Sequence, residues 1–294
     1  MKIIRQRLPR IPVTIIPLPA NLFLMPRTPP CQQILDNPKV SPQIQAPEVI
    51  IHSATTLQTY QNCPLQYKFC FIDKIPVPPT PPMVFGSAIH SVIENLTTHP
   101  HPSLEPRDHA LSLLDEFWPS EVYESEFEES EARNSAHAIL DTYLAWQKAN
   151  TNTVTGVEHE FTFLLDNHTL NGFIDRIEQT PDGGYVVIDF KSGKKPGTIS
   201  KNKIKTNIQV NMYCLAVQHM TGALPERAEL FFLKDGKHVH YMPNEETIQE
   251  FTDTITALIK DINRKYFPAN PDFFRCKYCG YRERCGNKWT YDPW

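Results

Sequence analysis

Apolar residues recur with two different periods along this chain, and the change falls near Val154. Before it, Ala132, Ala136, Ile139, Leu140, Tyr143 and Leu144 recur at three- and four-residue intervals, the spacing that lines one face of a helix. The pattern predicts helices over Phe85–Leu96, Pro106–Phe117 and Glu131–Gln147. After it, short runs rich in β-branched and aromatic residues predict strands over Val157–Leu165, Thr169–Glu178, Tyr185–Phe190, Ala228–Leu233 and Lys237–Tyr241. Asp166-Asn167, Asp182-Gly183-Gly184 and Asp235-Gly236 supply turn chemistry between strands. Helical patterns over Ile208–Met220 and Glu245–Arg264 complete the set. The expectation is an α/β fold with a mixed central sheet flanked by helices.

Prolines mark what lies outside that pattern. Ten of them fall in residues 1–48, which predicts an extended arm, either a surface wrap or an interaction tail. A second run, Pro76 to Pro82, predicts a rigid loop. Residues 49–294 are then expected to form one domain, with a helical cover over 53–150 and a core over 154–264. The acidic run Glu121, Glu124, Glu126, Glu128, Glu129 and Glu131 is most simply a solvated loop and helix start; contact with a basic partner, or exclusion of DNA from that face, is the alternative.

Composition narrows the class. A 294-residue chain that is 40% hydrophobic is long enough to bury a large core. A formal charge of −4 argues against a generally basic nucleic-acid coat but leaves room for a local positive groove. No run of about 18 apolar residues is present, so no stable membrane insertion is expected, and Ile11 to Met25 is apolar enough only for weak membrane contact. Seven cysteines, an odd number, argue against a fully paired secreted disulfide framework and for a cytoplasmic protein.

The densest chemistry lies on one predicted hairpin. Asp189 and Lys191 are two apart in a strand, so both face one side, while Ile188 and Phe190 face the other. A turn centred near residue 182 places Asp175 almost opposite Asp189. Two carboxylates converging across neighbouring strands repel unless a cation sits between them, and Mg²⁺ or Mn²⁺ suits such hard oxygen ligands. A surface hairpin with a weak ion pair is the plain alternative. His90, four positions after Gly86, is either a core histidine or part of a metal shell, and small Gly86, Ser87 and Ala88 allow its helix to approach the sheet closely. Gln209 and Tyr213 are one helical turn apart and share a face. Glu160 either joins the metal shell or simply meets water, and Arg176 either contacts phosphate, packs over the hairpin or pairs with Glu178. Lys191, Lys194, Lys195, Lys201, Lys203 and Lys205 give six lysines without an acid in fifteen positions, a phosphate-holding field or a solvated loop.

Gly86-Ser87-Ala88-Ile89-His90, Gly172-Phe173-Ile174-Asp175-Arg176, Ile188-Asp189-Phe190-Lys191-Ser192-Gly193 and Gln209-Val210-Asn211-Met212-Tyr213 together resemble the PD-(D/E)XK nuclease superfamily in its RecB-type exonuclease branch. The motifs stand in family order across roughly residues 53 to 285, although Gly172-Phe173-Ile174 replaces a literal proline-aspartate pair before Asp175. The resemblance implies a restriction-endonuclease-like fold and a divalent-metal-dependent deoxyribonuclease. Lys191, Asp189, Asp175, Gln209 and Tyr213 are the expected catalytic set, with His90, Asp175, Asp189 and Glu160 around Mg²⁺ or Mn²⁺. An exonuclease on single-stranded DNA or frayed ends, in repair, recombination or CRISPR spacer processing, is the implied activity. A structure-selective endonuclease and a noncatalytic DNA-end-binding subunit are the alternatives. A helicase or CRISPR adaptation proteins would be separate partners.

Cys276-x2-Cys279-x5-Cys285 crowds three thiols into the C-terminal segment. Soft sulfur suits zinc or an iron-sulfur centre, and spacing alone does not choose. Tyr60-Gln61-Asn62-Cys63-Pro64-Leu65-Gln66-Tyr67 resembles the segment that donates a remote first cysteine in four-cysteine members of the same nuclease family. By that match Cys63, Cys276, Cys279 and Cys285 hold a [4Fe-4S] cluster, with structural Zn²⁺ as the alternative, and residues 273–285 form a clasp closed by Cys63. Cys31, Cys70 and Cys214 read as packing residues. Phe273, Phe274, Tyr278 and Tyr281 are expected to shield the cluster, with base stacking as the lesser reading.

Overall fold

A computed structural model describes residues 51–193 and 201–287. The expected arm over residues 1–48 lies outside them. In chain order the elements are β1 (Ile51–Ser53), α1 (Ala54–Asn62), α2 (Pro64–Tyr67), α3 (Pro81–Thr98), α4 (Pro106–Phe117) and α5 (Glu126–Ala149). There follow β2 (Thr153–Leu165), β3 (His168–Gln179), β4 (Tyr185–Lys191), α6 (Lys201–Lys205), α7 (Ile208–Thr221), β5 (Arg227–Phe232), β6 (Lys237–Tyr241), α8 (Glu245–Asn263) and α9 (Phe273–Lys277). This is the expected α/β architecture, a mixed sheet with helices on both faces.

Two boundaries differ from the sequence pattern for physical reasons. Pro81 and Pro82 begin α3 instead of closing a loop, because the first turn of a helix has no use for the N–H that proline lacks. The acidic residues Glu126, Glu128 and Glu129 form the first turn of α5, where the helix dipole favours negative charge, and Ser125 caps it by accepting from the Glu128 N–H. The β1 strand, three residues long, carries no readable period of its own.

The path of β3 makes the site. One edge pairs antiparallel with β2 along nearly its whole length. The other edge pairs parallel with β1 at Thr169–Asn171 and antiparallel with β4 at Arg176–Gln179. Between these two partners residues 172–175 face a fork in the sheet. Alternation along β4 sends Val187 to the core under α1, α7 and α8, and Val186, Ile188 and Phe190 to the core under α3 and α5. Gly172 is required by packing, since a Cβ there would sit 2.9 Å from the Phe161 ring. Gly86 brings α3 close to the end of β4, where a Cβ would meet Ser192 Oγ at 3.3 Å.

Candidate metal centre

Asp175 stands at the fork, one residue beyond the last ladder pair, Arg176 with Ile188. Extending that register by one residue sets it opposite Asp189, as the turn-centred pairing predicts. Its carboxylate takes the place of the missing ladder: the Phe190 N–H donates to Asp175 Oδ2 at 2.8 Å, and the Tyr213 hydroxyl donates to Oδ1 at 2.8 Å. Burial pushes the Asp175 carboxyl up to about 6, with the Asp189 and Glu158 carboxylates adding to the rise and the His90 and Lys191 charges opposing it.

His90 comes from α3 and crosses to the same place. The Phe190 carbonyl can only accept, so His90 Nε2–H donates to it at 3.0 Å and the neutral ring keeps its lone pair on Nδ1. That nitrogen lies 3.5 Å from Glu158 Oε1 and 3.6 Å from Asp175 Oδ2. Ligand atoms of His90, Glu158 and Asp175 all lie within 4.8 Å of one another, a group that can hold a metal ion. An imidazole whose second nitrogen donates to a backbone carbonyl is the usual support for a metal-ligating histidine.

Asp189 is fully buried and Lys191 shares its face. Lys191 Nζ donates to Asp189 Oδ1 at 2.9 Å and to Gln209 Oε1 at 3.1 Å. Gln209 Nε2 donates to the Tyr213 hydroxyl at 2.8 Å, so a continuous hydrogen-bonded path runs from the Lys191 amine through α7 to Asp175. Lys191 Nζ also lies 2.7 Å from Asp189 Oδ2, so both oxygens of this buried carboxylate face the ammonium. The converging group is His90, Glu158 and Asp175, so the expected metal residue Asp189 stays outside it, paired with Lys191. The three that converge offer one nitrogen and two carboxylates, a donor set that suits a hard cation. Burial alone lowers the Lys191 ammonium; the Asp189 and Asp175 carboxylates more than offset it and hold its proton on.

Several sequence expectations are placed differently. Glu160 does not join the group: it is exposed and pairs across the ladder with Phe173. Glu158 lies nearer the centre, between the pairs Val157 with Arg176 and His159 with Ile174, hence opposite Asp175. The two glutamates are two apart on one strand, and the β2–β3 register sets Glu158, not Glu160, opposite Asp175. Glu158 also has φ +43°, a local departure from strand geometry that alternation cannot foresee. Arg176 is buried, with Nε donating to Glu178 Oε1 at 2.6 Å and Nη1 to the Tyr143 hydroxyl at 3.1 Å, so of its three readings the pairing with Glu178 is the one realised. Lys203 and Lys205 are exposed on α6; Lys194, Lys195 and the Lys201 side chain lie outside the described residues.

Cys63 and, from the C-terminal segment, Cys276, Cys279 and Cys285 line one pocket. The surrounding chain is tied back to residues 60–75: the Tyr60 hydroxyl donates to the Tyr266 carbonyl at 2.5 Å, Asn270 Nδ2 to the Asn62 carbonyl at 3.0 Å and the Tyr281 hydroxyl to the Ile75 carbonyl at 3.0 Å. Burial pushes the Cys279 thiol up, and charge on Cys63, Cys285 and Cys276 pushes it further. Cys214 is buried in the packed interior as expected, whereas Cys70, also buried, is disulfide-bonded and so is not the simple packing thiol expected.

Residues 52–286 match the sequence pattern of the PD-(D/E)XK nuclease superfamily. The chain belongs to that superfamily. A Mycobacterium phage D29 protein, "Gene 69 protein", is 22% identical over 275 residues, covering 83% of this chain and 98% of the phage protein. Among solved structures, SSO0001 covers 84% of this nuclease-superfamily chain and 90% of its own, at 14% identity and a TM-score of 0.41. The structure named "Putative exonuclease" from Eubacterium rectale covers 82% and 90%, at 12% identity and a TM-score of 0.48. Superfamily membership makes DNA the expected substrate. Among the described residues, no helix is long and apolar enough to cross a membrane.

Proposed function

We infer that this protein is a Mg²⁺- or Mn²⁺-dependent DNA exonuclease of the RecB-type branch, acting on single strands or frayed ends. The observation that carries the hydrolytic reading is the meeting of His90, Glu158 and Asp175 ligand atoms within 4.8 Å, with the Asp189–Lys191 pair opposite Asp175 by strand register. His90 Nδ1, Glu158, Asp175 and Asp189 would hold the metal, which supplies Lewis-acid polarisation of the scissile phosphate and a more acidic water. Lys191 stays protonated, so it donates hydrogen bonds to the attacking water or a non-bridging phosphate oxygen and does not itself take a proton. Gln209 fixes the direction of that amine, and Tyr213 fixes both Gln209 and Asp175. Water oxygen attacks phosphorus and gives up a proton to solvent, the bond from phosphorus to the sugar oxygen breaks, and that oxygen leaves with a proton from solvent.

The preference for exonucleolytic cutting and for single strands rests on the resemblance of the His90, Asp175 and Lys191 motifs to the RecB-type branch. Resemblance of the segment around Cys63, from Tyr60 to Tyr67, to four-cysteine members of the same family supports a [4Fe-4S] cluster on Cys63, Cys276, Cys279 and Cys285. The donor chemistry fits: four cysteine sulfurs line one pocket, and the mutual repulsion of their ionised forms would be relieved by positive iron. End-labelled single- and double-stranded DNA, linear and circular, digested with and without Mn²⁺, tests the activity. Metal-dependent loss of linear DNA with circles spared is expected. No cleavage, or equal cleavage by a folded Asp189→Ala variant, overturns the assignment.

A further inference from the structure

The C-terminal segment turns its thiols inward and its aromatic rings outward. Cys276 and Cys279 line the cysteine pocket, whereas Phe273, Phe274 and Tyr278 are 44%, 69% and 76% exposed. Tyr281 alone among the four aromatic residues of this stretch is buried. Shielding of the cysteines therefore accounts for one ring and leaves three facing solvent.

Charge around these rings is one-sided. Residues 273–287 carry Arg275, Lys277, Arg282 and Arg284 against a single acid, Glu283, on a chain whose total is −4. All four cations are exposed. Arg275 is partly engaged, donating to the Asn62 carbonyl and lying 3.9 Å from Asp272. Lys277 Nζ sits 5.3 Å from the centre of the Tyr278 ring, and Phe273 and Phe274 meet edge to face at 5.1 Å. Open rings interleaved with cations are what an unpaired strand needs: π faces for its bases and positive charge for its phosphates, with no demand on sequence. A duplex hides its base faces in the stack and offers these rings nothing to stack on. An apolar protein partner would have to leave the cations unmatched.

We propose that Phe273, Phe274, Tyr278 and the cations of the same segment form a binding surface for single-stranded DNA, separate from the metal centre. The proposal deepens the exonuclease reading and rests on it for the nature of the polymer. Phe274 and Tyr278, the most open rings, stack on bases; Lys277, Arg282 and Arg284 hold the backbone. Neither ring takes part in the metal centre, so their removal weakens capture of a strand without altering the hydrolytic groups.

Fluorescence anisotropy in EDTA, which prevents cleavage, tests this with a labelled dT 20-mer, an abasic 20-mer of equal charge and a 20-base-pair duplex. The full chain is expected to bind the dT strand at least about tenfold more tightly than the abasic strand, the scale of one base–aromatic stack. Phe274→Ala with Tyr278→Ala is expected to abolish that preference, while Tyr278→Phe retains it. Fluorescence of 2-aminopurine in a strand bound to the unaltered protein supplies a reading that needs no variant: quenching on binding supports stacking. Equal affinity for dT and abasic strands, absent quenching, or a preference unchanged in the folded double variant overturns the proposal. Mn²⁺-dependent cleavage by the unaltered protein is scored separately. Cleavage without base preference sinks the surface alone, and base preference without cleavage sinks the nuclease reading alone.

Discussion

His90 Nε2 donates a hydrogen bond to the Phe190 carbonyl at 3.0 Å, and the N–H of the same residue donates to Asp175 Oδ2 at 2.8 Å. One residue's backbone, between Asp189 and Lys191, thus orients two metal-ligand candidates from different elements. It does so at the fork, where β4 has a backbone donor and acceptor that the β3 ladder does not use. Replacing His90 by Ala removes one ligand and leaves the carboxylates in place. The Mn²⁺ concentration for half-maximal cleavage is expected to rise by about 10- to 100-fold, the scale seen when metal-site support groups are lost. A Mn²⁺ titration of cleavage rate measures it, and an unchanged midpoint removes His90 from the metal shell.

The pH dependence of metal binding follows from the charge at the fork. Asp175 is held up to about 6 chiefly by burial. For His90, burial lowers the imidazole, but the Asp175 and Glu158 carboxylates leave it raised overall. Both must shed protons to bind a cation, so affinity for Mn²⁺ is expected to increase from pH 5.5 to 7.5. The sign for the metal-free fold is the reverse. A carboxyl whose folded value lies above its ordinary 3.8 contributes stability below that value and loses it as pH rises through about 6. Metal binding then restores most where Asp175 is ionised, so the Mn²⁺-induced rise in Tm is larger at pH 7.5 than at 5.5. Equal rises at both pH values would contradict the assignment of Asp175 as a ligand.

The Arg176–Glu178 pair is structural. Both side chains are 1% exposed; Glu178 also accepts from Asn150 and Asn152, and the guanidinium lies 4.9 Å from the centre of the Trp146 ring. Arg176→Ala strands a buried carboxylate and is expected to destabilise the fold by about 3–5 kcal/mol. Arg176→Met combined with Glu178→Gln should recover much of that loss, because no unpaired charge remains. Urea unfolding measures both. A stable single variant with a raised KM for DNA would instead make Arg176 a phosphate contact.

How much of this was legible in the sequence depended on which physical rule governed each residue. Strand alternation and the turn at Gly183, whose φ is +91°, were enough to set Asp175 opposite Asp189, and a four-residue interval put Gln209 and Tyr213 on one helix face. Alternation does not distinguish Glu158 from Glu160; their difference lies in the β2–β3 register, a long-range property. The two-sided pairing of β3 was equally hidden, since β1 is three residues long and lies more than one hundred positions from its partner. Exposure of Phe273, Phe274 and Tyr278 could not be read from a five-residue helix too short to show a face.

The cysteine assignment is open to a direct chemical test because the segment has two sources of cohesion. The Tyr60, Asn270 and Tyr281 hydrogen bonds join residues more than two hundred positions apart and do not involve sulfur. A cluster on Cys63, Cys276, Cys279 and Cys285 would close the same long loop with bonds that last as long as the iron is held. Anaerobically purified protein is therefore expected to be brown and to contain iron and acid-labile sulfide in equal amounts. Cys276→Ala should bleach the visible absorption and lower Tm by several degrees, with the metal-centre groups still folded and detectable by Mn²⁺ binding. Cys214→Ala, at a buried thiol in the main core, should leave the colour unchanged. Colourless protein with one zinc per chain would make the site structural zinc. An unchanged spectrum in Cys276→Ala would exclude that thiol as a ligand and leave the hydrogen bonds as the tie between residues 60–75 and 266–281.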